Sequence, residues 1–459
     1  MNSGHFQPPC AKCLARAFVS SLLLTASLTL VAQDPIRLDL ASVASLCRGR
    51  NWAAKRAHQD VTTANAVLRE RESLHWGRID FQTQYLRLND PVHIESPIPG
   101  NLVSVLGMSQ LTTPVGPQDS LHVTVEGGVP IFTGGKIHYA VRAAREGVNA
   151  TSSAASDVDA DVTLEAERDY LAVLLTRDVV DLDQEALKSY QDHLEHARVS
   201  YREGVVANYD VIRAEAAVKE QEKRLIEAQN QHDIAVAALR TSLALEDEAP
   251  VDIAGRLFEI EDQVDLEALL ATTVKSNPML KALDEKIAAE KDAVKVQQGD
   301  YFPQVTGVAG REIDTHKLAQ TDPTWFAGVR VSLKLFTGGE RQAKVSEEKA
   351  RARSTEFERH HAEDRIRLAV RSAYLNLESQ RSALIASTKA AELAKESFRL
   401  ASKRFDVGTG IGLEVLDANV SLTAARISIL QALYGIDLAY LTIHRYQGDI
   451  SEIATRVQK

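Results

Sequence analysis

The sequence predicts a membrane β-barrel fused to an all-α coiled coil, with four transmembrane strands per chain and long helices beneath them. Three observations lead there: an N-terminal export signal, an internal duplication, and a hydrophobic period that switches between seven and two inside each copy. The totals agree. Of 459 residues, 25% are charged and only 5% aromatic, with 24 Gly and 13 Pro, a balance that favours long helices over a sandwich or a Pro-rich disordered chain. A net charge of −10 argues against a nucleic-acid partner. Three cysteines, Cys10, Cys13 and Cys47, build no disulfide framework.

The first element is a signal peptide over 1–32. Lys12 and Arg16 precede an apolar run from Ala17 to Ala32, followed by Gln33-Asp34-Pro35. A basic start, an apolar core and a small residue at its end are the marks of secretion. Cleavage there removes Cys10, Cys13 and two positive charges, and leaves Cys47 as a lone structural thiol. No cysteine follows the run where a lipid anchor would attach.

The remainder reads as a first repeat over 33–245, a linker over 246–264, a second repeat over 265–447 and a tail over 448–459. Ile131-Phe132-Thr133-Gly134-Gly135 recurs as Leu335-Phe336-Thr337-Gly338-Gly339, Tyr170-Leu171 as Tyr374-Leu375, and Asp210-Val211-Ile212 as Glu414-Val415-Leu416. All keep an offset of 204. Upstream, Leu40 matches Leu266 and Asn51 matches Asn277, so the first copy carries a longer loop in between.

Each copy opens with a helix, over 38–75 and 265–298. A strand pair follows, 78–88 with 121–132 and 304–312 with 324–336. Ile79, Phe81, Thr83 and Tyr85 alternate with Arg78, Asp80, Gln82 and Gln84, and Trp325, Ala327, Val329 and Val331 alternate with Gly328, Arg330 and Ser332. One apolar and one polar face over about ten residues fits a barrel strand between lipid and water. Trp76, Tyr301, Phe302, Trp325, Phe326, Phe132 and Phe336 gather at the strand ends as an interfacial girdle. The Pro-rich loop over 89–120 is expected on the exterior. Four strands cannot close a transmembrane barrel, and open edges are forbidden in lipid. Three chains pooled in a homotrimer would give twelve.

Each copy closes with a helical hairpin, over 136–245 and 340–446. Ala166, Val173, Val180, Leu187, Leu194 and Tyr201 repeat every seven residues, as do Val370, Leu377, Leu384, Ala391, Phe398 and Phe405. A sustained heptad winds helices around a continuous seam. A helix of roughly 65 residues would be about 100 Å long, and each ends at a glycine turn, Gly204 or Gly408. No nucleophile elbow, nucleotide fingerprint, cofactor site or metal cluster is evident, and no catalytic residue is assigned. His193 and His196 share a helix face, with solvent as their expected environment.

With these residues in place, the chain resembles the TolC-type outer-membrane efflux proteins over essentially all of its mature length. The duplication carries the resemblance, together with the Pro130-Ile131-Phe132-x-Gly134-Gly135 strand exit and the turn from Phe405 through Gly408-Thr409 to Leu413-Glu414-Val415-Leu416-Asp417-Ala418. The resemblance implies a homotrimer in outer-membrane lipid with a periplasmic helical tunnel. An equatorial belt would come from 246–264 and the tail. The implied activity is passive export, energised by an inner-membrane pump through a periplasmic adaptor. An outer-membrane duct of a type I protein secretion system is the alternative within this architecture, and an exported coiled-coil scaffold without a pore lies outside it. In a trimer, Glu414 and Asp417 would stack as two carboxylate rings at a pore constriction. Gly204, Asp210, Gly408 and Thr409 mark the hairpin tips and adaptor docking, and Gly134, Gly135, Gly338 and Gly339 the strand-exit turns. Gly408, Gly410 and Gly412 are expected to loosen the second tip.

Overall fold

The computed structural model describes residues 36–448 apart from 101–102, 104, 106, 109, 117, 247, 259–264 and 315–323. The signal segment, the end of the linker and the tail beyond Gly448 lie outside the described residues. A short strand β1 (Ile36–Leu38) leads into α1 (Leu40–Arg50) and α2 (Trp52–Ser73). Four further strands follow: β2 (Arg78–Arg87), β3 (Val92–Pro97), β4 (Gln110–Gly116) and β5 (Asp119–Phe132). The first hairpin is α3 (Lys136–Arg202) and α4 (Asn208–Ser242). The second copy runs through β6 (Val251–Ile253), α5 (Leu266–Ser276), α6 (Pro278–Gln298), β7 (Gln304–Asp314), β8 (Trp325–Ser332), α7 (Glu340–Asp406) and α8 (Gly412–Gln447).

The opening helix of each copy is broken where the sequence suggests continuity. The breaks fall on Asn51 and Asn277, which the duplication pairs. Asn51 caps α2 by accepting from Ala53 N–H at 2.8 Å, and its amide donates to the Ser242 carbonyl at 3.0 Å. Asn277 accepts from Met279 and Leu280 N–H and donates to the Tyr446 carbonyl at 2.9 Å. Each asparagine thus starts one helix and ties down the end of the hairpin's return helix. Capping of this kind is worth about 1 kcal/mol; Pro278 at the first helical position reinforces the second break.

The membrane-type sheet has the order β2-β5-β7-β8, antiparallel throughout. Register sorts its side chains by face. Phe81, Val125, Arg311 and Trp325 lie in one row, and Asp80, Glu126, Gly310 and Phe326 in another on the opposite side. The apolar face is bare: Ile79 is 82% and Phe81 69% exposed. An apolar face left open in this way suits contact with lipid. Phe326, expected in the girdle, sits on the polar face instead, its ring lying where a Gly310 side chain would be. The last strand is also shorter than expected. It stops at Ser332, opposite Gln304, because Pro303 ends the pairing partner there. The loop over 89–120 contains a second hairpin, β3 with β4.

Both long helices have 67 residues, about 100 Å. Their heptad seam is buried at Ala166, Val173, Leu194, Val370, Leu377, Leu384 and Phe405; Tyr201 departs from it and is exposed. α8 is long and apolar enough to cross a membrane, but its apolar side chains face the bundle. Ile436, Ala439 and Ile443 share a core with Val370 and Leu377, and Tyr440 and Leu441 share one with Leu171 and Leu174. Burial of each such side chain contributes about 1.5–3 kcal/mol. Cys47 is a buried free thiol in the second of these cores.

The linker, which has no readable periodicity, forms a strap. β6 pairs in parallel with β1, and the chain beyond it crosses α3 and α8. Tyr170 donates its hydroxyl to the Ala254 carbonyl, Arg177 donates to the Gly255 carbonyl at 3.0 Å, and Phe258 N–H donates to Asp437 at 3.3 Å. Gly255 has φ +116, and a Cβ there would stand 2.5 Å from the Tyr170 hydroxyl. Asp437 is fully buried, and its other oxygen has no hydrogen-bond partner among the described residues.

Burial pushes the Asp437 carboxyl up to about 8 from 3.8. The folded chain therefore keeps a proton that the unfolded chain releases, a stabilising term that is full below about pH 4 and lost as pH rises toward 8. Asp437→Asn keeps the acceptor for Phe258 and cannot ionise. We expect it to raise stability at about pH 8 by on the order of 1 kcal/mol and to change little at about pH 4. Thermal unfolding at the two pH values checks this; a variant less stable at both would refute it.

Candidate functional site at the hairpin tips

The chain reverses at two glycine turns. In the first, Gly204 adopts φ +76, its N–H donates to Tyr201, and Val205 N–H reaches back to the Ser200 carbonyl at 2.9 Å. This left-handed ending consumes carbonyls the helix leaves unpaired. In the second, Gly408 has φ +72. The Arg404 carbonyl accepts from Thr409 N–H and Gly410 N–H, both at 2.9 Å, and from the Thr409 hydroxyl at 3.2 Å.

The glycines here fit tightly against their neighbours. A Cβ on Gly410 would lie 3.0 Å from the Arg404 Cβ, and Gly412 is buried beside His193. The expected loosening is therefore replaced, at these two positions, by close packing. A core of Tyr190, Leu194, Ala214, Val218, Phe405, Val415 and Leu416 joins both hairpins just behind the turns.

The acidic residues divide by role. Asp210 caps its own helix by accepting from Ala207 N–H at 3.3 Å. Glu414 is half-buried and lies 3.1 Å from Arg404. Asp417 is exposed and close enough to Tyr190 to contribute to the raised pKa of its phenol, behind burial as the main cause. The two acids that sequence spacing places together thus differ: Glu414 carries a cation partner, and Asp417 has none among the described residues.

Sequence reasoning missed the groups that join the hairpins. His193, expected in solvent, stacks on Phe405, and His196 lies 3.5 Å from Asp406. Arg426 reaches Glu185 at 2.9 Å and Asn419 donates to Ser189 at 3.2 Å. None of these pairs is local in sequence, so no spacing pattern announces them.

At the other end, the strand-exit turns place two consecutive glycines in the left-handed region, Gly134 and Gly135 at φ +61 and +82, Gly338 and Gly339 at +60 and +92. They turn a sheet strand into the start of a 67-residue helix. On the polar face nearby, Arg78 pairs with Asp80 at 2.9 Å and Arg330 with Glu126 at 3.2 Å across the intervening strand. The polar face thus presents neutralised pairs beside the Phe326 ring.

The profile of the outer membrane efflux protein family matches residues 105–245 and 269–449. The alkaline protease secretion protein AprF of Pseudomonas aeruginosa is 23% identical over 304 residues, covering 62% of this chain and 60% of that protein. The outer membrane efflux protein BepC of Brucella suis is 25% identical over 276 residues, 59% of each chain. The chain thus spans about 60% of the length of the curated relatives it matches. The crystal structure of the outer membrane protein VceC from Vibrio cholerae superposes with a TM-score of 0.73 at 16% identity, over 89% of this chain and 96% of that one.

The two exit turns differ in surroundings. A Cβ on Gly134 would meet the Gly299 carbonyl at 2.6 Å and Phe302 at 2.7 Å, whereas nothing lies within 4 Å of one on Gly338. Both substitutions to Ala incur the left-handed backbone cost of about 1–2 kcal/mol. Gly134→Ala should lose roughly 1–3 kcal/mol more. Equal losses in thermal unfolding would refute the packing role of Gly134.

Proposed function

Because the chain belongs to the outer membrane efflux protein family, we propose that it is the outer-membrane channel of a tripartite export system. Three copies close the sheet into a twelve-stranded barrel, and their hairpins form a helical duct below it. The observation that carries this reading is the sheet itself. It has an apolar face with no cover, a polar face lined by ion pairs, and edge strands β2 and β8 that pair on one side only. Backbone groups on such edges need partners in lipid, and symmetry-related copies supply them.

In this reading the duct is passive. Substrate choice and energy come from an inner-membrane pump, and a periplasmic adaptor docks near the tips marked by Gly204, Asp210, Gly408 and Thr409. Glu414 and Asp417 form the pore constriction, and rings of carboxylate concentrate cations. The ion pair with Arg404 offsets the Glu414 ring, so Asp417 carries most of the selectivity. A second reading, the duct of a protein secretion system, is favoured by the similarity to a protein named for protease secretion. Either way the same pore is required.

Planar-bilayer conductance of the extracted trimer tests both the pore and its constriction. We expect a discrete cation-selective channel. Asp417→Ala should reduce selectivity more than Glu414→Ala, and the double variant should abolish most of it. Loss of selectivity confined to Glu414→Ala would reverse the assignment, and a correctly assembled trimer without conductance, alone or with its adaptor, would remove the channel reading.

A further inference from the structure

One imidazole stands at the meeting point of the two hairpins. His193 projects from α3 about three turns before its end. Its ring centre lies 4.8 Å from that of Phe405 at the end of α7, with the planes at 54°. Its Nε2 comes within 3.4 Å of the position a Cβ on Gly412 would take, at the first residue of α8. One turn further along α3, His196 Nδ1 is 3.5 Å from Asp406. A cleft of about 370 Å³ opens beside them, lined by Lys188, Asp192, Ser402 and Val415 among others. Both turns, at Gly204 and Gly408, are within a few helical turns of this contact, and the second hairpin enters and leaves its turn against the imidazole.

We propose that His193 is a proton-operated wedge at the duct entrance: neutral, it packs the two hairpin tips of a chain together, and protonated, it releases them so that the entrance widens in acid. The proposal rests on the reading of the tips as an entrance. Its physical basis is that neutral imidazole packs against the tilted Phe405 ring at little cost, whereas imidazolium there loses water, a penalty that Asp406 and Asp210 offset only in part.

Charged neighbours surround the imidazole on three helices. On α3 they are Glu185, Lys188, Asp192 and His196; on α7, Asp406; on α4, Asp210. From α8 come Gly412 and Val415, which carry no charge. Burial is the largest influence and lowers the His193 pKa from the usual 6.5; His196 lowers it further, while Asp406 and Asp210 act the other way. A group with a lowered pKa in the packed state binds protons more readily once the tips part. Packing is therefore at full strength above about pH 6.5 and is lost as pH falls through the lowered value. The His196–Asp406 contact also links the two hairpins, independently of His193. Its side chains are 64% and 52% exposed, and exposed pairs of this kind contribute little.

Two readouts on the full trimer test the wedge. Spin labels on Arg202→Cys and Lys403→Cys, in a chain carrying Cys47→Ala, report the distance between the hairpin ends, and bilayer conductance reports the entrance. Between about pH 8 and about pH 5 we expect the label distance to lengthen and broaden, and conductance to rise about twofold or more. His193→Phe, which keeps an aromatic ring on Phe405, and His193→Gln, which keeps polarity, should both flatten the two responses while conducting normally at the higher pH. An invariant distance in the unsubstituted chain would overturn the proposal, as would a full response in both variants. Distances that respond while conductance does not would keep the wedge and overturn the entrance reading.

Discussion

Inside a bilayer a backbone amide has no water to bond to, and this one constraint organises the molecule. A four-stranded sheet with two unpaired edges and a bare apolar face is not a stable object in either solvent. In the proposed trimer it becomes one when β8 of one copy meets β2 of the next, which makes oligomerisation a condition of that barrel. The constraint then propagates. A strand leaving the sheet must turn into a helix that continues below the membrane, and the paired left-handed glycines at 134–135 and 338–339 immediately precede the first residue of each long helix. Everything beneath hangs from those turns.

The helical part solves a different problem with a different period. A helix of 67 residues holds its course only if it packs along its whole length, and the heptad seam with alanines at positions such as Ala197 and Ala401 allows close approach to the return helix. Among the described residues, two cores lie at matching mid-length positions of the two long helices, around Ala166 and Val370, and a third joins both hairpins near the tips. The return helices end about halfway along the long ones, where Asn51 and Asn277 fasten them and the strap crosses on Tyr170, Arg177 and Asp437. The tips lack such backbone fastening and rely on side-chain packing, so they are the part of the bundle best placed to move.

How much of this could be read from sequence follows from the range of each interaction. The hairpins, the strand faces and the duplication were legible because they rest on local periodicity repeated many times. Glu414 and Asp417 could be placed in the first turns of one helix for the same reason. The breaks at Asn51 and Asn277 were masked by continuous helical patterning, although both are capping residues and Asn277 is followed by Pro278. The strap was invisible because three-residue strands carry no period and the β1 partner of β6 lies in the first repeat. Phe326 went to the polar face because Gly310 leaves room there, a pairing set by register between strands. His193 was assigned to solvent from its own helix, when its environment is set by Phe405 and Gly412 on two others.

The repeats agree where they build scaffold and differ where the tips meet. Tyr201 is exposed while its counterpart Phe405 is buried; Asp210 caps its helix while its counterpart Glu414 pairs with Arg404; Arg213 stands where the second copy has Asp417. A symmetric ring of six equivalent hairpins would present one kind of contact between neighbours. The inequivalence gives two kinds, and the intrachain contact is the one held by His193 and Phe405. Duplication supplied two hairpins of equal length and pitch, which a closed tunnel needs. In the proposed wedge, divergence in their last few turns gives one junction a response to protonation that the seam above it does not share.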